Sequence, residues 1–219
     1  MDKKNVLENV RVLYHSAVRL DGERVVYTDP YELTEAAHDA DVILITHDHD
    51  DHFSPADVAK IKKPSTILAV PESMEEAALA AGFAADKIVL VQPGGHYAVG
   101  GLIIETVPAY NVGKDFHPKA QRFVGYIVQM NGLRYYIAGD TDSNEDVEKV
   151  RCDVALLPVG GTYTMTAQEA AELARKLQPQ AAVPIHYGAI VGEKADGQRF
   201  CQQLPAEITA AERMERFAQ

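Results

Sequence analysis

The sequence predicts an α+β fold in which two mixed β-sheets pack together with helices on the outside. Three observations support this prediction. Short apolar runs recur along the chain, turn-forming pairs separate some of them, and capped helical segments are few. The 219 residues suffice for a buried core and are expected to form one domain, 1–219.

Ten short runs rich in β-branched and aromatic residues are predicted to be strands. They are 10–14, 24–28, 42–46, 66–70, 87–91, 102–107, 123–130, 134–138, 154–158 and 182–185. The pairs Asp21-Gly22 and Asn131-Gly132 separate neighbouring runs. Both pairs tolerate the positive φ angles of two-residue hairpin turns, so each predicts a hairpin.

Three helices are predicted downstream of the fourth strand. Ser73 with Glu76, and Thr166 with Glu169, each match the spacing of a capping box. The first pair opens an Ala-rich stretch, and the second opens a segment with one apolar face. A last helix is expected over about 194–204.

The most informative feature of the chain is the run Thr-His-Asp-His-Asp-Asp-His at 46–52. It places His47, His49 and His52 close to the carboxylate of Asp51. Imidazole suits zinc, manganese and iron, and a carboxylate adds a hard oxygen ligand. The run therefore predicts a metal site.

The segments on either side of this run indicate a fixed loop. Residues 41–45, with the apolar run Val-Ile-Leu-Ile after Asp41, are typical of a buried strand. Ser54 and Pro55 then have the N-cap and first-position chemistry of a helix start. A solvated His-rich surface loop is the competing interpretation, but a strand and a capped helix would hold both ends of this loop.

Four motifs, each following a strand-like run, resemble those of the metallo-β-lactamase superfamily. They are Asp29-Pro30-Tyr31, the run 47–52, Gly139-Asp140-Thr141-Asp142 and Ile185-His186-Tyr187-Gly188. The short chain and its opening Tyr14-His15-Ser16-Ala17 resemble the ascorbate-6-phosphate-lactonase-like branch of small metal-dependent hydrolases. The resemblance implies the metallo-β-lactamase fold, a four-layer αββα sandwich of two mixed sheets flanked by helices.

The resemblance also implies two divalent metal ions, Zn²⁺ first, with Mn²⁺ and Fe²⁺ as alternatives. The matching residues are His47 and His49 for the first ion, Asp51, His52 and His186 for the second, and Asp140 as the bridge. Two cations about 3.5–4 Å apart can share one hydroxide, and a metal lowers the pKa of water to about 7. Asp140 and Asp51 are therefore the expected catalytic carboxylates, the first bridging the ions and the second orienting the hydroxide.

One position departs from the family pattern. The third motif of the family is a histidine at the end of a strand, whereas here the strand 102–107 leads into Pro108-Ala109-Tyr110-Asn111. Asn111 could complete the first site, His117 could reach back to it, or nothing could. His117 is equally a candidate substrate contact.

Asp29 matches the family aspartate that accepts a hydrogen bond from a ligand histidine and so orients its ring. A plain turn residue before Pro30 is the alternative. The glycine-led loop 160–165 enters the helix at Thr166, and its amides could hold an anion or simply form a loop and cap.

The candidate substrate contacts are His15, Tyr110, Lys114, His117 and Tyr163. Tyr110, Lys114 and His117 follow the third-motif strand, and Tyr163 lies in the glycine-led loop. His15 could equally be a buried structural histidine, and Lys114 could be a solvated surface residue.

The composition bears on partners and location. The net charge of −11 argues against a nucleic-acid partner, because such binding needs basic patches that neutralise phosphates. No apolar run approaches the roughly 20 residues of a membrane helix. Residues 1–5 lack the apolar core of a signal peptide, so a cytoplasmic location is expected. Cys152 and Cys201 have no paired spacing and do not indicate a disulfide framework or a zinc site.

The expected function is a metal-dependent hydrolase with a small-molecule substrate. A metal-bound hydroxide would attack an ester, lactone, amide or phosphoester bond of a small metabolite, expected to be anionic because the metals add positive charge. An iron-dependent oxidoreductase is one alternative, since the same ligand set can hold iron. A non-catalytic metal-binding protein is another, motivated by the missing third histidine. The sequence leaves open whether the protein forms a homo-oligomer.

Overall fold

The first β-sheet has six strands in chain order. A computed structural model describes residues 6–217 of the protein. The strands are β1 (Val10–Tyr14), β2 (Ala17–Leu20), β3 (Val26–Thr28), β4 (Val42–Leu44), β5 (Ile67–Pro71) and β6 (Ile88–Val91). The first three pair antiparallel, and β3 to β6 pair parallel, so the sheet is mixed.

The second β-sheet has seven strands, and its neighbours are again consecutive along the chain. They are β7 (His96–Val99), β8 (Leu102–Pro108), β9 (Val124–Met130), β10 (Leu133–Ile137), β11 (Val154–Pro158), β12 (Ala181–Ile185) and β13 (Thr209–Ala210). From β7 to β10 the pairing is antiparallel, and from β10 to β13 it is parallel. Both sheets are therefore mixed, as predicted.

Four α-helices form the outer layers. They are α1 (Pro55–Ile61), α2 (Glu75–Ala80), α3 (Ala167–Leu177) and α4 (Ala195–Gln202). The first two pack on the first sheet, and α3 and α4 pack on β11 and β12 of the second. The order helix, sheet, sheet, helix is that of the αββα sandwich, and the fold-class prediction is confirmed.

The alternation of side chains in β4 shows how the layers form. Val42 and Leu44 belong to the core between the two sheets, whereas Ile43 and Ile45 belong to the core under α1 and α2. Successive side chains of a strand point to opposite faces, so a continuous apolar run is what a sheet covered on both faces requires.

The predicted capping signals have different outcomes. Ser54 caps α1 through the amide of Asp57, and Thr166 forms a complete capping box with Glu169, so both predictions are confirmed. The predicted box at Ser73 is wrong. A short 3₁₀ turn (Glu72–Met74) occupies that place, and α2 begins at residue 75 without a side-chain cap.

The two hairpin predictions also differ. Asn131 and Gly132 form a two-residue turn with φ angles of 58° and 74°, as predicted. The prediction at Asp21-Gly22 is wrong as a two-residue turn. An unpredicted strand, β2, precedes this pair, and the loop from β2 to β3 spans 21–25.

Each of the ten predicted strand runs overlaps an observed strand, but β2, β7 and β13 were not predicted. Tyr14 pairs with Ala17, so the first hairpin turns at His15 and Ser16. His15 is not a usual turn residue and Ser16 alone is a weak turn signal, which explains why β2 escaped prediction.

Within residues 6–217, none of the helices has both the length and the apolar character that crossing a bilayer requires. Residues 1–5, on which the expected absence of a signal peptide rests, lie outside the described residues.

Candidate metal centre

The predicted metal ligands and the residues predicted to act beside them follow the carboxyl ends of strands from both sheets. His15 follows β1, Asp29 follows β3, His47, His49, Asp51 and His52 follow β4, His117 lies after β8, Asp140 follows β10, and His186 follows β12. The fold thus gathers side chains that are far apart in sequence at one edge of the sandwich.

A first cluster of metal-binding side chains consists of His47, His49 and His117. One nitrogen from each ring lies within 4.8 Å of the other two. Nε2 of His117 is 3.2 Å from Nδ1 of His49. Of the alternatives left open by the sequence, the structure brings His117 to the third position of this cluster.

Asn111 does not belong to this cluster but supports it. Its backbone N–H donates to the carbonyl of His117 at 2.9 Å, which closes the loop between the two residues. Its side-chain amide donates to the carbonyl of Tyr163 at 2.7 Å and lies 3.3 Å from Nδ1 of His117. Asn111 therefore holds the His117 loop against the loop that carries Tyr163.

A second cluster consists of His15, Asp51, His52 and His186, again with one donor atom each within 4.8 Å. Oδ2 of Asp51 is 3.6 Å from Nε2 of both His52 and His186. The same oxygen is 3.1 Å from Nε2 of His15. His15 was predicted as a substrate contact, but it is fully buried beside Asp51 and does not line the cleft.

Asp140 lies between the two clusters. Its Oδ1 is 3.3 Å from Nε2 of His52, and its Oδ2 is 3.1 Å from Nε2 of His186 and 3.4 Å from Nε2 of His117. One carboxylate therefore faces donors of both clusters. This is the arrangement that a bridging ligand requires.

Asp29 and Thr46 fix the orientation of two histidine rings. Oδ2 of Asp29 is 2.8 Å from Nδ1 of His52 and accepts the Thr46 hydroxyl at 2.7 Å. The hydroxyl oxygen of Thr46 is 2.9 Å from Nδ1 of His47. Since the hydroxyl donates to Asp29, it accepts from His47. Both rings thus carry their proton on Nδ1 and keep the lone pair of Nε2 for the cluster.

Several buried polar atoms in the centre have no hydrogen-bond partner among the described residues. They include Nε2 of His47, His52 and His186, and Oδ1 of Asp140. Buried polar groups are rarely left unsatisfied, and an unpaired group calls for an explanation such as an ion. Neutral imidazoles and a carboxylate converging in this way fit divalent metal ions of the zinc, manganese and iron type.

The charges of the two carboxylates dominate this centre. Burial opposes protonation of His186, but the carboxylates of Asp140 and Asp51 together outweigh it and raise the pKa of His186 to about 10. Burial favours the neutral form of Asp140, yet His186 and His52 hold its pKa well below the ordinary value. Burial lowers the pKa of His47. A metal ion at His186 would have to displace a proton, so metal uptake would release protons.

A cleft of about 490 Å³ opens onto the two clusters. Its lining is Asp48, His49, Asp50, Asp51, Phe116, His117, Asp140, Tyr163, His186 and Ile190. Tyr163 lies there as predicted, with its ring centroid 4.6 Å from that of Phe116. Phe116 and Ile190 were not predicted, although an apolar residue directly before His117 in a polar loop was an available signal.

Besides His15, two more predicted substrate contacts do not line the cleft. Nζ of Lys114 donates to Oδ1 of Asp142 at 2.5 Å and to the carbonyl of Thr164 at 2.7 Å. The hydroxyl of Tyr110 donates to Asp146 at 3.1 Å, and burial raises its pKa. Both side chains hold loops together around the centre.

Gly160, the first residue of the glycine-led loop 160–165, packs closely against His186. A Cβ atom at this position would lie 2.5 Å from the carbonyl oxygen of His186 and 3.4 Å from its Nδ1. The glycine therefore lets the loop approach His186 closely. The start of α3 is already capped by Thr166 and Glu169, so the structure adds no support for an anion site there.

Comparison with known proteins identifies the family of this chain. The model of the beta-lactamase superfamily domain matches residues 9–186. A UPF0173 metal-dependent hydrolase of Pyrococcus abyssi is 34% identical over 210 residues, which covers 87% of this chain and 89% of that protein. Another from Thermus thermophilus is 34% identical over 207 residues and covers 89% of this chain and 90% of that protein.

A solved structure shows the same fold. A proposed metal-dependent hydrolase from Parabacteroides distasonis superposes with a TM-score of 0.79 at 30% identity, covering 93% of this chain and 91% of the other. The family match spans most of the sequence, including the strands and loops that build the centre. The chain belongs to the metallo-β-lactamase superfamily, among its UPF0173 metal-dependent hydrolases.

Proposed function

We propose that this protein holds two divalent metal ions at the paired clusters and hydrolyses an ester, lactone, amide or phosphoester bond of a small molecule. The observation that carries the proposal is the position of Asp140. Its two oxygens face histidines of both clusters, and Nε2 of His52 and of His186 beside it have no hydrogen-bond partner among the described residues.

The residues divide into two sets around the bridge. His47, His49 and His117 would hold the first ion, and Asp51, His52 and His186 the second, with Asp140 shared. When bound, the ions would supply Lewis acidity and activate water near neutral pH. The low pKa of Asp140 keeps its carboxylate charged, and that charge suits it to bridge two cations.

Asp51 has a second task besides binding. Its carboxylate faces the cleft, while its Oδ2 lies 3.1 Å from Nε2 of the buried His15. A hydrogen bond from His15 would fix the direction of this oxygen. Asp51 is then placed to orient the attacking water beside the second ion.

The donor atoms restrict the type of metal ion but do not identify it. Imidazole nitrogens and carboxylate oxygens suit zinc, manganese and iron, and no cysteine takes part in the clusters found among the described residues. We propose Zn²⁺ first, with Mn²⁺ and Fe²⁺ as alternatives. An iron-dependent oxidoreductase would use the same donor atoms, and no contact among the described residues favours it over a hydrolase.

The non-catalytic alternative rested on the missing third-motif histidine. The position of His117 beside His47 and His49 supports the catalytic proposal over it. The lactonase-like branch, the cytoplasmic location and the anionic substrate stay predictions. The last draws no support from the side chains, because no Lys or Arg lines the cleft in the described part of the chain.

A panel of neutral and charged chromogenic esters, lactones, amides and phosphodiesters tests the proposal on protein loaded with zinc or manganese. Asp140→Ala is expected to reduce turnover of any responsive substrate by at least about a hundredfold, because it removes a ligand of both ions. His96→Ala, which changes an exposed histidine on β7, is the matched control and should retain full activity. Undiminished turnover by Asp140→Ala would disprove the proposal.

A further inference from the structure

The cleft carries negatively charged side chains that do not belong to the metal centre. Four carboxylates line it, from Asp48, Asp50, Asp51 and Asp140. Asp51 and Asp140 face the clusters. Asp48 and Asp50 are exposed and form no ion pair with any residue between 6 and 217. Two unpaired negative charges therefore lie at the exposed rim of the cleft, which we call its mouth.

The cations nearest in sequence to the cleft residues are already engaged. Lys114 is 2.5 Å from the carboxylate of Asp142, and Lys119 is 3.0 Å from that of Asp146. Neither side chain lines the cleft. An anionic group placed away from the metal ions would thus meet carboxylates and no compensating side-chain charge.

The rest of the mouth is apolar. Phe116 is 50% exposed and Ile190 is 53% exposed, and both line the cleft. They are two of the five large apolar side chains that are exposed among the described residues, the others being Leu79, Ile103 and Val112. The ring of Tyr163 meets that of Phe116 edge to face. Exposed apolar side chains gathered at a pocket are typical of ligand sites.

These apolar side chains lie next to the reacting centre in the chain. Phe116 directly precedes His117, and Ile190 lies four residues after His186. A substrate bond placed at the metal ions would therefore have its neighbouring group against Phe116, Tyr163 or Ile190.

We propose that the cleft selects uncharged substrates with an aromatic or branched aliphatic group beside the scissile bond, and that its acidic mouth discriminates against anions, in place of the anionic substrate expected from the sequence. This inference rests on the proposed function, because the bond must sit at the metal centre. Apolar contact supplies the affinity for the side group. The free carboxylates repel anions within a Debye length of about 8 Å at physiological salt.

The test compares three hydroxamates on zinc-loaded protein by isothermal titration calorimetry. Their side groups are phenyl (3-phenylpropionohydroxamic acid), carboxylate (succinic monohydroxamic acid) and ammonium (4-aminobutyrohydroxamic acid). Each anchors through the same metal-chelating head. The phenyl compound is expected to bind at least about tenfold more tightly than the carboxylate, and the ammonium compound more tightly than the carboxylate.

Two variants separate the apolar contribution from the charge contribution. Phe116→Ala should weaken phenyl binding by about five- to tenfold and change carboxylate binding less than about twofold. Asp48→Asn with Asp50→Asn should strengthen carboxylate binding by about three- to tenfold. Ile103→Ala and Asp86→Asn, which change exposed residues outside the cleft, are the matched controls.

A salt series gives a second measurement, should the double variant bind less zinc. At 0.5 M NaCl the phenyl-to-carboxylate ratio of the wild type should shrink, because charge repulsion is screened and apolar contact is not. Carboxylate binding equal to or tighter than phenyl binding would overturn the inference and leave the proposed function standing. Failure of the wild type to bind any of zinc, manganese or iron(II) would overturn both.

Discussion

Oδ2 of Asp29 lies 2.8 Å from Nδ1 of His52. The same oxygen accepts a hydrogen bond from the hydroxyl of Thr46, which in turn accepts one from Nδ1 of His47. A single buried carboxylate thus sets the proton position of two rings, one in each donor cluster. Because both rings carry their proton on Nδ1, both Nε2 atoms are free to bind metal.

Asp29→Asn is expected to lower zinc affinity by about ten- to a hundredfold, the usual effect of losing the partner of a metal-binding histidine. Thr46→Val should weaken binding less, since only His47 loses its acceptor. Thr46→Ser keeps the hydroxyl and serves as the control. Competition against a fluorescent zinc chelator measures all three, and wild-type affinity in Asp29→Asn would argue against this orienting role.

His117 and Asn111 should respond differently to truncation. His117→Ala removes a donor nitrogen of the first cluster and is expected to reduce bound metal from about two ions per chain to about one. Asn111→Ala removes only the support of the loop, so stoichiometry should persist with weaker affinity. Mass spectrometry of metal content compares the two. Loss of an ion in Asn111→Ala, with none lost in His117→Ala, would reverse the assignment.

Gly139 combines a left-handed backbone with close packing. Its φ angle is 65°, and a Cβ atom there would lie 3.1 Å from Thr46 and from the carbonyl oxygen of Val124. Gly132 has a similar φ of 74° but nothing within 4 Å of that position. Gly132→Ala should therefore cost roughly 1–2 kcal/mol in the free energy of unfolding, and Gly139→Ala more.

Urea denaturation of metal-free protein measures both glycine variants. The difference between them reports the packing at Gly139, because the backbone contribution is common to both. Equal losses in the free energy of unfolding would show that Thr46 and Val124 move aside for the added methyl group without destabilising the protein.

The stability of the folded protein should fall at alkaline pH because of the partly buried thiol of Cys152. Burial, and then the charge of Asp153, raises its pKa to about 12. In the unfolded chain a cysteine titrates near pH 8.5. The protonated thiol therefore favours the folded state fully below about pH 8.5, and this stabilisation declines as the pH rises towards 12.

Cys152→Ala removes that pH-dependent contribution. Between pH 8 and pH 10.5 the Tm of the wild type should fall further than the Tm of the variant, measured on metal-free protein. The thiol should also react slowly with a disulfide reagent at pH 8, because little thiolate is present. Parallel falls in Tm would rule out a raised pKa at this site.

Much of the fold could be predicted because its signals are local. The apolar run 42–46 predicted a buried strand, and Asn131-Gly132 predicted its hairpin from two residues. The strand β2 lacked such a signal. Its hairpin turns at His15, whose φ of 52° is imposed by the pairing of Tyr14 with Ala17.

The third position of the first cluster could not be chosen from the sequence for a related reason. His117 reaches it because the loop after β8 closes on itself, with the amide of Asn111 bonded to the carbonyl of His117. His117 itself has a φ of 54°. Irregular loops of this kind carry no periodicity, so the sequence named both residues and left the choice open.

The roles of His15 and Lys114 depended on packing as well. The sequence placed both among the substrate contacts. The fold directs His15 to Asp51 and Lys114 to Asp142 instead. Such pairings form between elements distant in sequence, and no local pattern reports them.

The central claim is that Asp140 joins two metal sites, and a calorimetric titration of metal-free protein with Zn²⁺ tests it most directly. The wild type is expected to bind close to two ions per chain, and Asp140→Ala to lose at least one, with an unchanged circular dichroism spectrum. Full binding of two ions by Asp140→Ala at wild-type affinity, or binding of none by the wild type, would contradict the claim.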